Sequence, residues 1–193
     1  MVSAKQLRIL FVDDEKLEVV STLKNEGYDV DYWADVENLE NIVDGRYHVV
    51  FLDVRGIGSK YGGNGLDIVK YVGTHNPLVF TIVFSAKPFT GAESDLIRQY
   101  AKRSMEKDCT FYEVLELLEE HAKSLSPETI IHELEKTVKV GLIQRWQIRR
   151  GSPLSRASIE KLAKSSGITQ DAVKIVSNTT AIAVSLFKLF SSV

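Results

Sequence analysis

Apolar residues fall along this chain in two kinds of stretch: short continuous runs and longer, spaced patterns. Leu7 to Val12, Val49 to Leu52 and Leu78 to Phe84 are continuous runs. Runs this short predict strands buried on both faces of a parallel sheet. Tyr28, Val30 and Tyr32 alternate with polar residues and predict a weaker strand. Between the runs lie helical patterns. Leu17, Val20 and Leu23 form one, ended by Gly27, and Leu66, Val69, Tyr71 and Val72 a second, ended by Gly73. Ala92, Leu96, Ile97 and Tyr100 suggest a third, and Phe111, Val114, Leu115 and Leu118 a fourth with Thr110 as N-cap. A short piece precedes that last helix. The alternation demands right-handed crossovers and a doubly wound α/β sheet.

Ser124-Leu-Ser-Pro-Glu128 breaks the pattern, with Ser126 able to cap a new helix and Pro127 at its first position. The expected boundary separates residues 1–125 from residues 126–193. The remainder reads as helical: Ile130, Leu134, Val138 and Leu142 recur every four residues, Gly151-Ser-Pro153 is a turn, and Ala181 to Phe190 is apolar. Charge divides at the same place. Residues 1–125 carry 14 Lys+Arg against 21 Asp+Glu, and residues 126–193 carry 10 against 5. An acidic unit can hold metal, and a basic one can approach phosphate backbones. The single cysteine, Cys109, rules out an internal disulfide and suggests a cytoplasmic location. No long apolar h-region precedes the first acids and no uninterrupted apolar run approaches ~20 residues, so neither a signal peptide nor a membrane span is expected.

In open α/β sheets ligands bind beyond the carboxyl ends of the strands. Asp13 and Asp14 follow the first run, Asp53 ends the second, Ser85 follows the third, and Lys107 precedes the last helix of the first unit. Two carboxylates ~4 Å apart repel by about 4 kcal/mol at an effective dielectric of 20. Three together call for a cation, and oxygen-only ligation suits Mg²⁺ above other ions. A carboxylate beside such an ion can act as a nucleophile toward phosphorus, with a hydroxyl and an ammonium group taking up the phosphoryl oxygens. The plainer reading, that Asp13 or Asp14 caps a helix, accounts for either residue alone and not for the set.

Ile9-Leu-Phe-Val-Asp-Asp14, Val49-Val-Phe-Leu-Asp53, Asn64-Gly-Leu66, Phe84-Ser-Ala86 and Lys107-Asp108, with 22 residues from Ser85 to Lys107, together resemble the receiver domain of two-component response regulators over residues ~5–122. The resemblance implies a flavodoxin-like fold with a five-stranded parallel sheet, followed by a smaller all-helical domain. It implies phosphorylation of Asp53 by a histidine kinase or phosphotransfer protein, and no enzymatic activity beyond the chain's own phosphoryl transfer and slow dephosphorylation. Mg²⁺ would sit on Asp14, Asp53 and the Arg55 backbone carbonyl, with Asp13 acting through water. Lys107 and Ser85 would hold the phosphoryl group. Arg55 and Lys87, two residues beyond Asp53 and Ser85, would tune its lifetime. A dehalogenase-like phosphatase would need an acid where Arg55 stands. Two features depart from the usual pattern: the loop from Arg55 to Gly63 is long and glycine-rich, and Ser104 occupies the aromatic switch position. That loop is no Walker A motif, since no Lys-Ser/Thr follows the glycines.

The second unit resembles a helix-turn-helix at residues 159–178. Ala163, Gly167, Ile168, Val173 and Val176 fall at packing positions, Thr169 at a cap, and Gln170, Asp171, Lys174, Ser177 and Asn178 on the outer face. Arg145, Arg149, Arg150, Arg156, Lys161 and Lys164 could meet phosphates. The expected output is DNA binding, with protein binding or a homodimer formed through the C-terminal helix as the alternatives.

Overall fold

The computed structural model describes residues 2–62, 64–166 and 171–191. Five strands, β1 (Arg8–Val12), β2 (Asp29–Trp33), β3 (Val49–Asp53), β4 (Phe80–Ser85) and β5 (Arg103–Glu106), form one all-parallel sheet in the order β2-β1-β3-β4-β5. The continuous apolar runs are its centre, and β3 is buried at every position. On one face Phe11 stacks on Phe51 while Phe84 meets both edge-on, against Val114 and Leu118 of α5 (Phe111–Ser124) and Leu23 of α1 (Glu18–Asn25). Burying one such ring contributes roughly 1.5–3 kcal/mol. On the other face Leu10, Val50 and Val83 join a cluster with Ile68, Val69 and Val72 of α3 (Gly65–His75).

Helices start where their caps stand. Asn64 Oδ1 accepts from Leu66 N at the head of α3, and Thr90, Thr110 and Ser126 each form capping boxes for α4 (Gly91–Tyr100), α5 and α6 (Pro127–Glu135). Gly27 ends α1 with φ +84°. Two expectations need correction. Gly73 does not end its helix: α3 runs through it to His75, because Tyr100 of α4 lies so close that a Cβ there would stand 2.5 Å from its carbonyl oxygen. A single turn, α2 (Glu40–Val43), fills the place between β2 and β3 that the strand–helix alternation assigns to a helix. The four-residue repeat from Ile130 to Leu142 is not one helix, for α6 stops at Glu135 and α7 (Leu142–Arg149) starts a new direction with Leu142 at 83% exposure. The short piece before α5 is β5, an edge strand whose side chains are mostly exposed, which explains its lack of an apolar run.

The C-terminal helices α6 to α9 (α8 is Arg156–Ser166, α9 Ala172–Ser191) pack beneath the amino edge of the sheet. Leu134, Ile182, Leu186 and Phe187 belong to the same apolar cluster as Leu10 and Val50. Gly45 makes this approach feasible: at φ +89°, its Cβ position is 2.9 Å from Ile182 N. Most polar groups at the seam are paired, although Asn76 Oδ1 and Asn178 Nδ2 are buried without a partner among the described residues. Arg8 N donates to His48 Nδ1 (3.0 Å), so the neutral ring carries its proton on Nε2, which faces Ser185 Oγ at 2.9 Å. Arg8 Nη2 donates to the same hydroxyl at 2.7 Å. Asn76 Nδ2 donates to the carbonyls of Val43 and Asn178. The apolar tail from Ala181 is therefore core. Ala172–Phe190 is long and apolar enough to cross a membrane by composition, but more than half of it is buried in the fold.

Candidate functional site

The sheet order reverses direction between β1 and β3, and in open α/β sheets ligands bind beyond the carboxyl ends at that point. Register decides which residues meet there. Val12 pairs with Leu52, so Asp13 leaves β1 beside Asp53 at the end of β3. Asp53 pairs with Phe84, one residue before Ser85, and Lys107 N donates to the Ser85 carbonyl (3.1 Å), which seats the lysine opposite the carboxylates. All five residues singled out in the sequence thus lie on this edge.

Asp13 and Asp53 are each only 1% exposed, while Asp14 points to solvent. One carboxylate oxygen from each of the three lies within 4.8 Å of the others. Lys107 Nζ bridges Asp13 Oδ1 (2.9 Å) and Asp53 Oδ2 (2.8 Å). Backbone N–H groups of Glu15 and Arg55 donate to Asp13 Oδ1 and Asp53 Oδ1, each at 2.9 Å. Neither Asp13 nor Asp14 caps α1, whose N-cap is Leu17. Burial raises the Asp13 pKa, and the hydrogen bonds and charge of Lys107 only partly offset this. Burial also opposes the charge of Lys107, but the carboxylates of Asp53 and Asp13 outweigh it and hold its pKa above the ordinary lysine value.

One ammonium group against three carboxylates leaves the cluster anionic. Asp13 Oδ2 is buried with no hydrogen-bond partner among the described residues. An orphaned buried carboxylate oxygen in an oxygen-only set fits a hard divalent cation held by Asp13, Asp14 and Asp53. The loop after β3 is shaped to keep that space. Gly56 has φ +86°, and a Cβ on it would lie 2.4 Å from Asp14 Oδ2. A Cβ on Gly65, at the head of α3, would meet the Val54 Cα at 2.5 Å.

Ser85 is buried; its Oγ donates to the Lys87 carbonyl (2.9 Å) and accepts from Lys87 N (3.2 Å). The hydroxyl is thus held in its own turn and away from Asp53. Arg55 reaches across to Glu93 Oε1 (3.1 Å), the third residue of α4 and the partner of Thr90 in its capping box.

Solved structures with this topology include a CheY-like response regulator receiver domain protein from Methanospirillum hungatei JF-1 (TM-score 0.52, 20% identity, 61% of this chain and 94% of that one). The receiver domain of NtrX from Brucella abortus is similar (TM-score 0.51, 24% identity, 61% and 99%). The N-terminal part of this chain has the response-regulator receiver fold. A longer NtrX chain in complex with ATP matches at TM-score 0.51 and 23% identity over 82% of this chain, which spans only 35% of that one. No protein-family model and no curated relative matches the sequence.

Within the receiver fold, the two departures read from the sequence acquire structural causes. The long loop is pinned from outside: Asp35, after β2, accepts from the N–H groups of Gly58 and Ser59 and from the Ser59 hydroxyl. Those bonds outweigh burial and keep the Asp35 carboxyl below the usual range. Gly63, the last residue of that loop, lies outside the described residues. Ser104 is exposed on β5. Sequence reasoning missed Asp35 and also Tyr32, whose hydroxyl donates to the Asp13 carbonyl at 2.7 Å. The position of Tyr32 near the end of a strand flanking β1 was the available signal.

The proposed base-reading face fares differently. Gly167, Ile168, Thr169 and Gln170 lie outside the described residues. Val173, expected to pack, is 48% exposed. Asp171 and Lys174 are exposed, although Lys174 pairs with Glu40 on α2, while Ser177 is half-buried and Asn178 is buried at the seam.

Proposed function

We propose that this chain is a response regulator whose Asp53 accepts a phosphoryl group from a histidine kinase or phosphotransfer protein in a Mg²⁺-dependent reaction in the cytoplasm. The observation that supports it is the buried anionic crevice: Lys107 spans Asp13 and Asp53 while Asp13 Oδ2 is left without a partner. Asp14, Asp53 and the Arg55 carbonyl would hold Mg²⁺, with Asp13 acting through water, and the ion would supply positive charge against the carboxylates and the incoming phosphoryl oxygens. Asp53 then bonds to phosphorus as the P–N bond of the donor phosphohistidine breaks. Lys107 follows the new charge to a phosphoryl oxygen. Ser85 reaches the same group only by releasing the Lys87 carbonyl, which makes it the moving part. The test is intact-mass analysis after incubation with an acyl phosphate. Wild type gains one acid-labile phosphoryl group and Asp53→Ala gains none; equal gain in both overturns the proposal.

For the output, DNA contact through residues 159–178 draws on the excess of basic side chains, among them Lys161 and Lys164, exposed on α8. It requires α9 to leave Glu40 and Asn76, since Lys174 and Asn178 are engaged there. Protein contact is the second reading, favoured by Ile143 and Trp146, exposed at 72% and 58% on α7 with Arg150 stacked over the indole. Binding to random duplex at ~50 mM salt, weakening steeply with salt, would support the first reading; its absence from phosphorylated protein would support the second.

A further inference from the structure

At the amino edge of the sheet, opposite the carboxylates, a cleft of about 380 Å³ opens where α6 and α9 meet the starts of β4 and β5. Its apolar floor is Leu78 and Phe80 from the sheet side with Ile130 and Leu186 from the C-terminal helices. Its rim is charged. Lys102, just before β5, lies 3.7 Å from Glu133, and Lys136 of the same rim pairs with that carboxylate too. Two ammonium groups sharing one carboxylate leave the rim cationic. His121 stacks on Phe80 at 3.9 Å between ring centroids, and among the described residues no hydrogen bond reaches either of its ring nitrogens.

An apolar floor, a cationic rim and an unused imidazole in a cleft of this size fit a small molecule better than a macromolecule. We infer that the cleft binds a small organic anion, with a flat apolar body on Phe80 and Leu186 and a carboxylate between Lys102 and Lys136. The ligand displaces Glu133 from one ammonium group, and His121 donates an N–H to it. Burial, together with Lys102, depresses His121 to about 4, so the free protein holds it neutral at pH 7. A neutral imidazole still has one N–H to donate. Residues from the sheet unit and from the C-terminal helices close on one ligand, so occupancy ties the two together. This inference stands apart from phosphorylation, for the cleft shares no residue with the acidic crevice.

The test uses the full chain with 2-naphthoate and its neutral amide, 2-naphthamide, titrated while the His121 ring and Trp146 resonances are followed by NMR. The expected result is a saturable shift at His121, at least tenfold tighter for the acid than for the amide. Lys102→Met with Lys136→Met should erase that preference. Equal affinity for acid and amide, or shifts at Trp146 without shifts at His121, overturns the inference. Should the double variant fail to fold, the acid–amide comparison in wild type decides by itself.

Discussion

Both edges of the sheet bury polar side chains, and they do so in opposite ways. At the amino edge His48, Ser185, Arg8 and Asn76 exchange hydrogen bonds across the seam with α9, and the atoms left without a partner there, Asn76 Oδ1 and Asn178 Nδ2, belong to neutral amides. At the carboxyl edge Asp13 and Asp53 are as deeply buried, but they share one ammonium group, and Asp13 Oδ2 has nothing. Hydrogen-bonded polar groups cost little to bury and a lone amide atom somewhat more, whereas excess buried charge is costly until something neutralises it. The hydrogen bonds of the amino edge hold α9 against the sheet. The surplus negative charge of the carboxyl edge calls for a cation.

The largest expected effect tests how tightly the amino edge is fitted. Gly45→Ala adds a Cβ against the α9 backbone at a positive φ, and should cost about 3 kcal/mol in urea unfolding. Gly27→Ala has a similar φ with nothing within 4 Å, and should cost only about 1–2 kcal/mol. Equal losses would mean that the close approach of α9 contributes nothing.

Acid should also loosen that edge. His48 and His121 are depressed from 6.5 to about 3 and about 4, chiefly by burial. The folded chain therefore binds fewer protons than the unfolded chain between those values and 6.5, and stability falls as the pH drops through that window. His121→Phe keeps the stack on Phe80 and should lower the slope at pH 5 by about 1.4 kcal/mol per pH unit. Asp13, whose raised pKa acts in the opposite direction, cancels in that difference.

At the carboxyl edge the effects depend on metal. Mg²⁺ at ten times its Kd should stabilise wild type by about 1.4 kcal/mol in thermal unfolding, and Asp13→Asn should show no such gain at the same concentration. The smallest effect is at Arg55. Its ion pair with Glu93 is partly exposed, so Arg55→Ala should change stability by less than about 0.5 kcal/mol. The lifetime of the aspartyl phosphate should shift measurably in the same variant; an unchanged rate here and in Lys87→Ala would confine both cations to the surface.

The sheet was legible because β1, β3 and β4 are buried on both faces and so are written as nearly continuous apolar runs. The site followed, since Asp13, Asp53 and Ser85 sit directly at the ends of those runs. β5 was nearly illegible because Arg103-Ser-Met-Glu106 lies at an exposed edge and carries no such run. Gly73 misled because close helix packing and helix termination both select glycine. Asp35 was invisible because its work is done on backbone N–H groups more than twenty residues away. The break after α6 was hidden because Val138 stays buried beyond the helix end, preserving the four-residue period.

The central claim is that the buried carboxylates require a cation before one of them can accept a phosphoryl group. Its most direct test is acyl-phosphate labelling with Mg²⁺ and with EDTA, followed by borohydride reduction and peptide mapping of the modified aspartate. The account predicts modification at Asp53 with Mg²⁺ and none with EDTA. Labelling independent of the metal, or confined to Asp13 or Asp14, would contradict it.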